Sequence, residues 1–153
     1  MERDDYVCYD MAKMERNLKI AAIIFLAVSA IGFLDATYLT VEHYRGDIPP
    51  CTILGCEIVL TSAQSRIAGI PVALLGSLYY LTLLILSFAY LDSKKRPIIR
   101  FASYCTVVGL IASIYFVYLQ LFVIREICQY CMASAGTSTI LFALGIYILI
   151  KEV

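Results

Sequence analysis

The sequence predicts an all-α membrane protein, a bundle of four transmembrane helices with an outer loop that carries a cysteine pair. Three observations lead there. The 153 residues are 61% hydrophobic and 16% charged, with a mean hydropathy of +0.84, where soluble domains average about 25% charged. Four apolar runs cover most of the chain: Ile20–Val41, broken only by Asp35, then Ile67–Leu91, Phe101–Ile124 and Ile127–Ile150. Strand-like alternation is absent. A helix of about 24 residues reaches ~36 Å, enough to cross a ~30 Å hydrocarbon core with some tilt.

The elements follow in order. Residues 1–17 are polar and read as a cytosolic tail with at most a short helix, leaving 18–153 as the membrane domain. The first span runs over roughly 18–43. In the loop after it, Pro49 and Pro50 oppose regular helix. Ser62 to Gln64 suit the start of a short interfacial helix. Pro71 suits the first turn of the second span, where a missing N–H costs little. Asp92–Pro97 is a short polar turn, the third span covers roughly 98–122, and the fourth starts near Cys128.

Lysine and arginine set the orientation. Nine of the twelve (Arg3, Lys13, Arg16, Lys19, Lys94, Lys95, Arg96, Arg100, Lys151) flank one side, and Arg45, Arg66 and Arg125 the other. By the positive-inside rule both termini are cytosolic, and the 42–66 loop and the 125–128 turn face outward. A basic start followed by Ala-Val-Ser-Ala at 27–30 also fits a cleaved signal peptide. Its removal would leave an odd number of spans, and the apolar pattern continues past the cut. The formal net charge is zero, so there is no basic field for nucleic acid.

Four of the six cysteines, Cys51, Cys56, Cys128 and Cys131, fall on the outer side, where disulfides persist. Cys128 and Cys131 share a helical face. A helix N-terminus favours the thiolate, which is the attacking species in disulfide exchange. Cys51 and Cys56, on a loop, suit carriage of a disulfide between an external partner and that pair. Other readings of the four are static disulfides, or zinc held as a tetrathiolate, in a non-catalytic four-helix protein. Cys8, in the tail, and Cys105, inside the third span, are expected to have no redox role. His43 is the single histidine, so no histidine-based metal cluster or Ser-His-Asp triad is available.

Asp35 is the one charge inside a span. Intramembrane carboxylates are costly and mark function. The CxxC at the mouth of an apolar span lies within reach of a hydrophobic oxidant dissolved in the bilayer, and such an oxidant takes up protons when reduced, so Asp35 is a candidate for proton transfer or for organising the site. Reaching water, or pairing with a tyrosine, is the plainer reading. Tyr38, Tyr44, Tyr79, Tyr80, Tyr115, Tyr118 and Tyr130 fit an aromatic belt or ordinary packing. Tyr130 is also a candidate for lining the site, because it lies inside the CxxC.

The arrangement over about 18–150 resembles the vitamin K epoxide reductase family, in its prokaryotic disulfide-forming branch. The resemblance lies in Cys56 followed by Ser62, in Gly69-Ile70-Pro71-Val72-Ala73-Leu74-Leu75-Gly76, in Cys128-Gln129-Tyr130-Cys131, and in Ile31-Gly32-Phe33-Leu34-Asp35-Ala36-Thr37-Tyr38-Leu39-Thr40. It implies a four-helix bundle around a quinone site on the outer side. It implies that Cys131 is nearest the quinone, that Cys128 exchanges with Cys56, that Cys51 meets the external partner, and that Ser62 lies near the quinone. Many bacterial relatives carry a fused thioredoxin-like domain. Here the chain ends three residues after the fourth span, so the expected partner is a separate thioredoxin-fold, DsbA-like protein. Ala135 stands where the vertebrate enzyme has a tyrosine, and the second span has no asparagine. The expected activity is therefore oxidation of partner thiols by ubiquinone or menaquinone, without a metal, in a prokaryotic cell membrane. Reduction of vitamin K epoxide or quinone is the alternative.

Overall fold

In the computed structural model, the backbone is described for residues 2–51 and 55–152, and side chains for 13–51 and 55–151. Cys8 lies outside the described side chains. Helix α1 spans Glu2–Arg45, α2 Cys56–Thr61, α3 Val72–Ser93, α4 Arg96–Tyr118 and α5 Gln129–Glu152. A 3-10 turn at Ala63–Ser65 and two short strands, β1 (Arg66–Ile67) and β2 (Ile70–Pro71), separate α2 from α3. A π-helical segment, Leu119–Ile124, continues α4. Within α1, α3, α4 with its π segment, and α5 lie four stretches long and apolar enough to cross a membrane.

The bundle is held by α1 against α3 and α5, and by α4 against α5 and α3. Its core is built from small and hydroxylated residues as much as large ones. Ala22, Ala102, Ser29, Ser87, Ser103 and Thr106 are buried beside Phe25, Tyr80, Leu83 and Ile148. The outward faces carry Ile31, Leu34, Phe88, Val108 and Ile150, all well exposed, as surfaces solvated by lipid should. Two of the buried hydroxyls donate back along their own helices, Ser87 to the Leu83 carbonyl (2.7 Å) and Ser103 to that of Ile99 (2.9 Å). This satisfies them where no water is at hand.

Several boundaries differ from the sequence reading. The tail is not mostly irregular: α1 is helical from Glu2. No glycine or proline precedes Gly32, and Glu2, Asp4 and Asp5 sit at the end of the helix dipole that favours acidic groups. A short 3-10 helix does start after Ser62, its N-cap, but a further helix, α2, precedes it from Cys56. Pro71 is not in the first turn of α3. It caps that helix in extended conformation, because it belongs to β2, paired with Arg66 of β1. The hairpin turns through Ala68 and Gly69, both with positive φ, as a two-residue primed turn requires. Lys94 ends α3 in the left-handed conformation, its N–H donating to the Tyr90 carbonyl at 2.7 Å.

Gly32 sets how closely α1 and α3 approach, since a Cβ there would run into the Tyr80 ring. Gly136, on α5, has open space at the same position. Gly32→Ala should therefore destabilise the bundle by about 1–3 kcal/mol, the usual range for overpacking. Gly136→Ala should be neutral or stabilising. Reversible denaturation in mixed detergent micelles measures both, and equal behaviour of the two variants would refute the close-packing account.

Candidate functional site

The third span ends in an irregular stretch that positions the cysteines. After Tyr118 the helix widens into the π segment, and Arg125 then takes a left-handed conformation, φ 59°. Residues 125–128 are non-helical before α5 begins. Gln120, buried in the π segment, spans this break. Its Oε1 accepts the Cys128 N–H at 2.9 Å, and its carbonyl accepts the Glu126 N–H at 3.2 Å. The Met132 N–H then bonds the Cys128 carbonyl at 3.0 Å, within the first turn of α5. Cys128 is thus fixed at the mouth of α5 by a side chain eight residues before it.

The loop is held down onto the same spot. Gly55 has φ 153°, and a Cβ there would lie 2.8 Å from Glu126 Oε2 and 2.9 Å from the Ile127 carbonyl. Only glycine lets the loop backbone lie this close to the 125–128 turn. On the other flank the Tyr130 hydroxyl donates to the Pro50 carbonyl at 2.9 Å, and its ring packs on Tyr38 with centroids 5.8 Å apart. Between these anchors, Cys56 (1% exposed) packs with Cys128 (0% exposed), and Cys51 and Cys131 border the same cluster.

Cys51 and Cys56 form a disulfide, while Cys128 and Cys131 are free thiols. In this state the two thiols fall short of the four a tetrathiolate zinc site takes. A hydrogen bond from the Cys131 thiol is the main influence on Cys128. Together with the Cys131 and Tyr130 N–H groups it outweighs burial and the charge of Asp35, lowering the Cys128 thiol from an ordinary 9.0 to about 7. Cys105 is apart from the cluster, half-buried against the bundle core.

Beneath the cysteines lies a cavity of about 880 Å³ with mainly apolar walls, a size suited to a small organic ligand. Cys131 forms part of its wall; Cys51, Cys56 and Cys128 do not. Asp35 and Ser62 also line it. Asp35 Oδ2 is buried without a hydrogen-bond partner, whereas the Ser62 hydroxyl donates to the Val59 carbonyl at 2.7 Å. Tyr130 is not among the lining residues and ties down the loop instead.

The model of the vitamin K epoxide reductase family matches residues 23–146. The chain belongs to the vitamin K epoxide reductase family. It is accordingly a multi-pass membrane oxidoreductase, of a family whose members use quinones. The cavity of this vitamin K epoxide reductase family member fits such a molecule. A flat apolar ring needs apolar walls and its oxygens need polar partners, and Asp35, with an unpartnered buried oxygen, and Cys131 both line that space.

Sequence reasoning missed Gln120. Gln120 had one signal, as the only amide in the Phe101–Ile124 run.

Thiolate absorbance of the reduced protein should titrate with a midpoint near pH 7. Below that pH Cys128 is protonated and loses nucleophilicity; above it the thiolate dominates. Cys131→Ala removes the donor, so the midpoint should move up toward the ordinary thiol range. An unchanged midpoint would exclude Cys131 as the cause.

Proposed function

We propose that this protein is a quinone-dependent thiol oxidase of the membrane, supporting protein disulfide formation. A separate thioredoxin-fold, DsbA-like partner delivers two electrons by attacking the Cys51–Cys56 disulfide at Cys51. The partner's dithiol becomes a disulfide and the loop pair becomes two thiols. Cys56 then attacks Cys128 of an oxidised Cys128–Cys131 pair, freeing Cys131. Cys51 attacks Cys56, restores the loop disulfide and releases Cys128. The observation that carries this reading is the packing of Cys56 on Cys128, with Cys131 of the same pair on the cavity wall.

The last exchange leaves the loop oxidised and Cys128–Cys131 reduced, the pairing described above. A quinone in the cavity, ubiquinone or menaquinone, accepts two electrons and two protons from this dithiol. The Cys128–Cys131 disulfide re-forms, and a quinol leaves. We assign Asp35, unpartnered and on the cavity wall, the carriage of protons toward the ring oxygens. We assign Ser62 to the wall near the ring, and Tyr130 to holding the loop over the cluster. The charge asymmetry supports cytosolic termini and outward-facing cysteines, with residues 1–17 on the cytosolic side and 18–153 as the membrane domain. A prokaryotic cell membrane suits this role.

Two cysteine variants test the division of roles. Cys131→Ser should abolish oxidation of the reduced protein by a short-tailed ubiquinone or menaquinone. Cys56→Ser should keep one turnover of the Cys128–Cys131 pair with quinone and lose electron delivery from the partner. Anaerobic stopped-flow with mass-spectrometric disulfide mapping separates the half-reactions, and the same defect in both variants would sink the route. Asp35→Asn should slow steady turnover at least about tenfold, the lower range for loss of a general acid–base group being 10²-fold, while leaving exchange between the pairs intact. An undiminished rate would remove Asp35 from the proton path.

A further inference from the structure

The cavity holds a second polar feature on the α5 face that carries Cys131. Residues 131, 134, 135 and 138 of α5 all line the cavity, at the spacing of one helical face. Ser138, seven residues after Cys131, lies about 10 Å farther along the helix. It is 2% exposed, and its Oγ is buried with no partner of regular geometry, only the Tyr79 hydroxyl close beside it. Across from it, from α3, comes the Tyr79 hydroxyl, also buried and without a partner of regular geometry.

A third helix makes room for both. Gly109 of α4 borders the Tyr79 hydroxyl, and a Cβ there would overlap the phenol and lie 2.8 Å from Ser138 Oγ. Tyr79, Gly109 and Ser138 all line the cavity. The neighbouring Tyr80 differs in kind. Its hydroxyl donates to the Ser134 carbonyl at 2.8 Å and lies 2.8 Å from Thr137 Oγ1, so it is a satisfied packing group.

Two hydroxyls carry two hydrogens. A bond between Tyr79 and Ser138 would use one and leave the other without an acceptor. An unmet donor in the apolar interior of a membrane protein is costly. A ligand oxygen at this end of the cavity would meet it. We propose that Tyr79 and Ser138 form a receptor for the carbonyl oxygen of the quinone ring remote from Cys131. The inference rests on the quinone reading above and gives that substrate class a structural requirement: two carbonyl oxygens on opposite sides of the ring. Tyr79 and Ser138 are binding residues in this account and exchange no electrons or protons with the ring.

Equilibrium binding of a short-tailed ubiquinone to the fully oxidised protein, which has no thiols in the site to spend, tests this directly. The chain has twelve tyrosines and no tryptophan, so quenching of tyrosine emission reports binding. Tyr79→Phe should weaken binding about tenfold and Ser138→Ala about three- to tenfold, the range for one neutral hydrogen bond. KM should rise with little change in kcat. In infrared difference spectra, bound quinone should have one carbonyl band shifted down by hydrogen bonding, and Tyr79→Phe should reduce that shift. Reduction of the loop disulfide by dithiothreitol serves as the folding control.

Unchanged affinity and an unchanged carbonyl band in both variants, with only thermal stability affected, would make the hydroxyls structural and overturn the receptor. Failure of the unmodified protein to bind or reduce any quinone would instead reject the substrate class.

Discussion

Close approach of helix backbones is the condition on which this bundle depends. In a bilayer, apolar side chains gain little by leaving lipid for one another, so association relies on dispersion contact and internal polar bonds. Gly32 receives the Tyr80 ring, and Gly145 of α5 lies against the Thr106 hydroxyl and the Ser103 backbone of α4. Ala22 and Ala102 are fully buried in the same core. Tyr80 reaches from α3 to α5 and bonds Ser134 and Thr137. These contacts fix the core, while the cavity above it lies between the same helices and the outer loop.

The cysteine cluster exploits departures from regular structure at that outer end. The π segment carries Gln120, whose side-chain Oε1 accepts the Cys128 N–H, and π-helical turns recur at functional sites. Arg125 accepts a left-handed backbone that most non-glycine residues avoid. Gly55 then brings the loop down and Tyr130 fastens it at Pro50. Each device is local, and together they bury Cys56 against Cys128.

The spans were legible because length without charge is a long-range signal that survives errors in any single residue. The break at 125–128 was legible for the same reason, as Arg125 and Glu126 interrupt the run. The tail helix was not, since its charged residues hide a stretch whose helicity comes from the absence of breakers. The Ala68-Gly69 hairpin was missed because alanine gives no hint of a positive φ. Within the site, the CxxC stood out through its spacing, whereas Tyr79 and Tyr80 are adjacent letters with opposite fates. Both border the cavity, but the Tyr80 hydroxyl is tied to Ser134 and Thr137 of α5, while the Tyr79 hydroxyl has no partner of regular geometry. No pattern within a single helix contains that information.

Burial also orders the four sulfurs. Cys51 is half-buried, Cys56 is 1% exposed and Cys128 is fully covered, while Cys131 faces the cavity. Disulfide exchange needs the attacking sulfur to reach the bond it breaks. In the proposed route a partner can therefore engage Cys51, but neither Cys56 nor Cys128. In that route Cys56, packed on Cys128, stands between Cys128 and a thiol arriving from the loop side. On the proposed route, that arrangement gives two cysteine pairs a use where chemistry alone asks for one. A single exposed CxxC could pass electrons to a quinone, but any small thiol outside could discharge it as well. On that route the loop disulfide keeps access and electron storage on different sulfurs, which the fold brings into one cluster although they are far apart in the sequence.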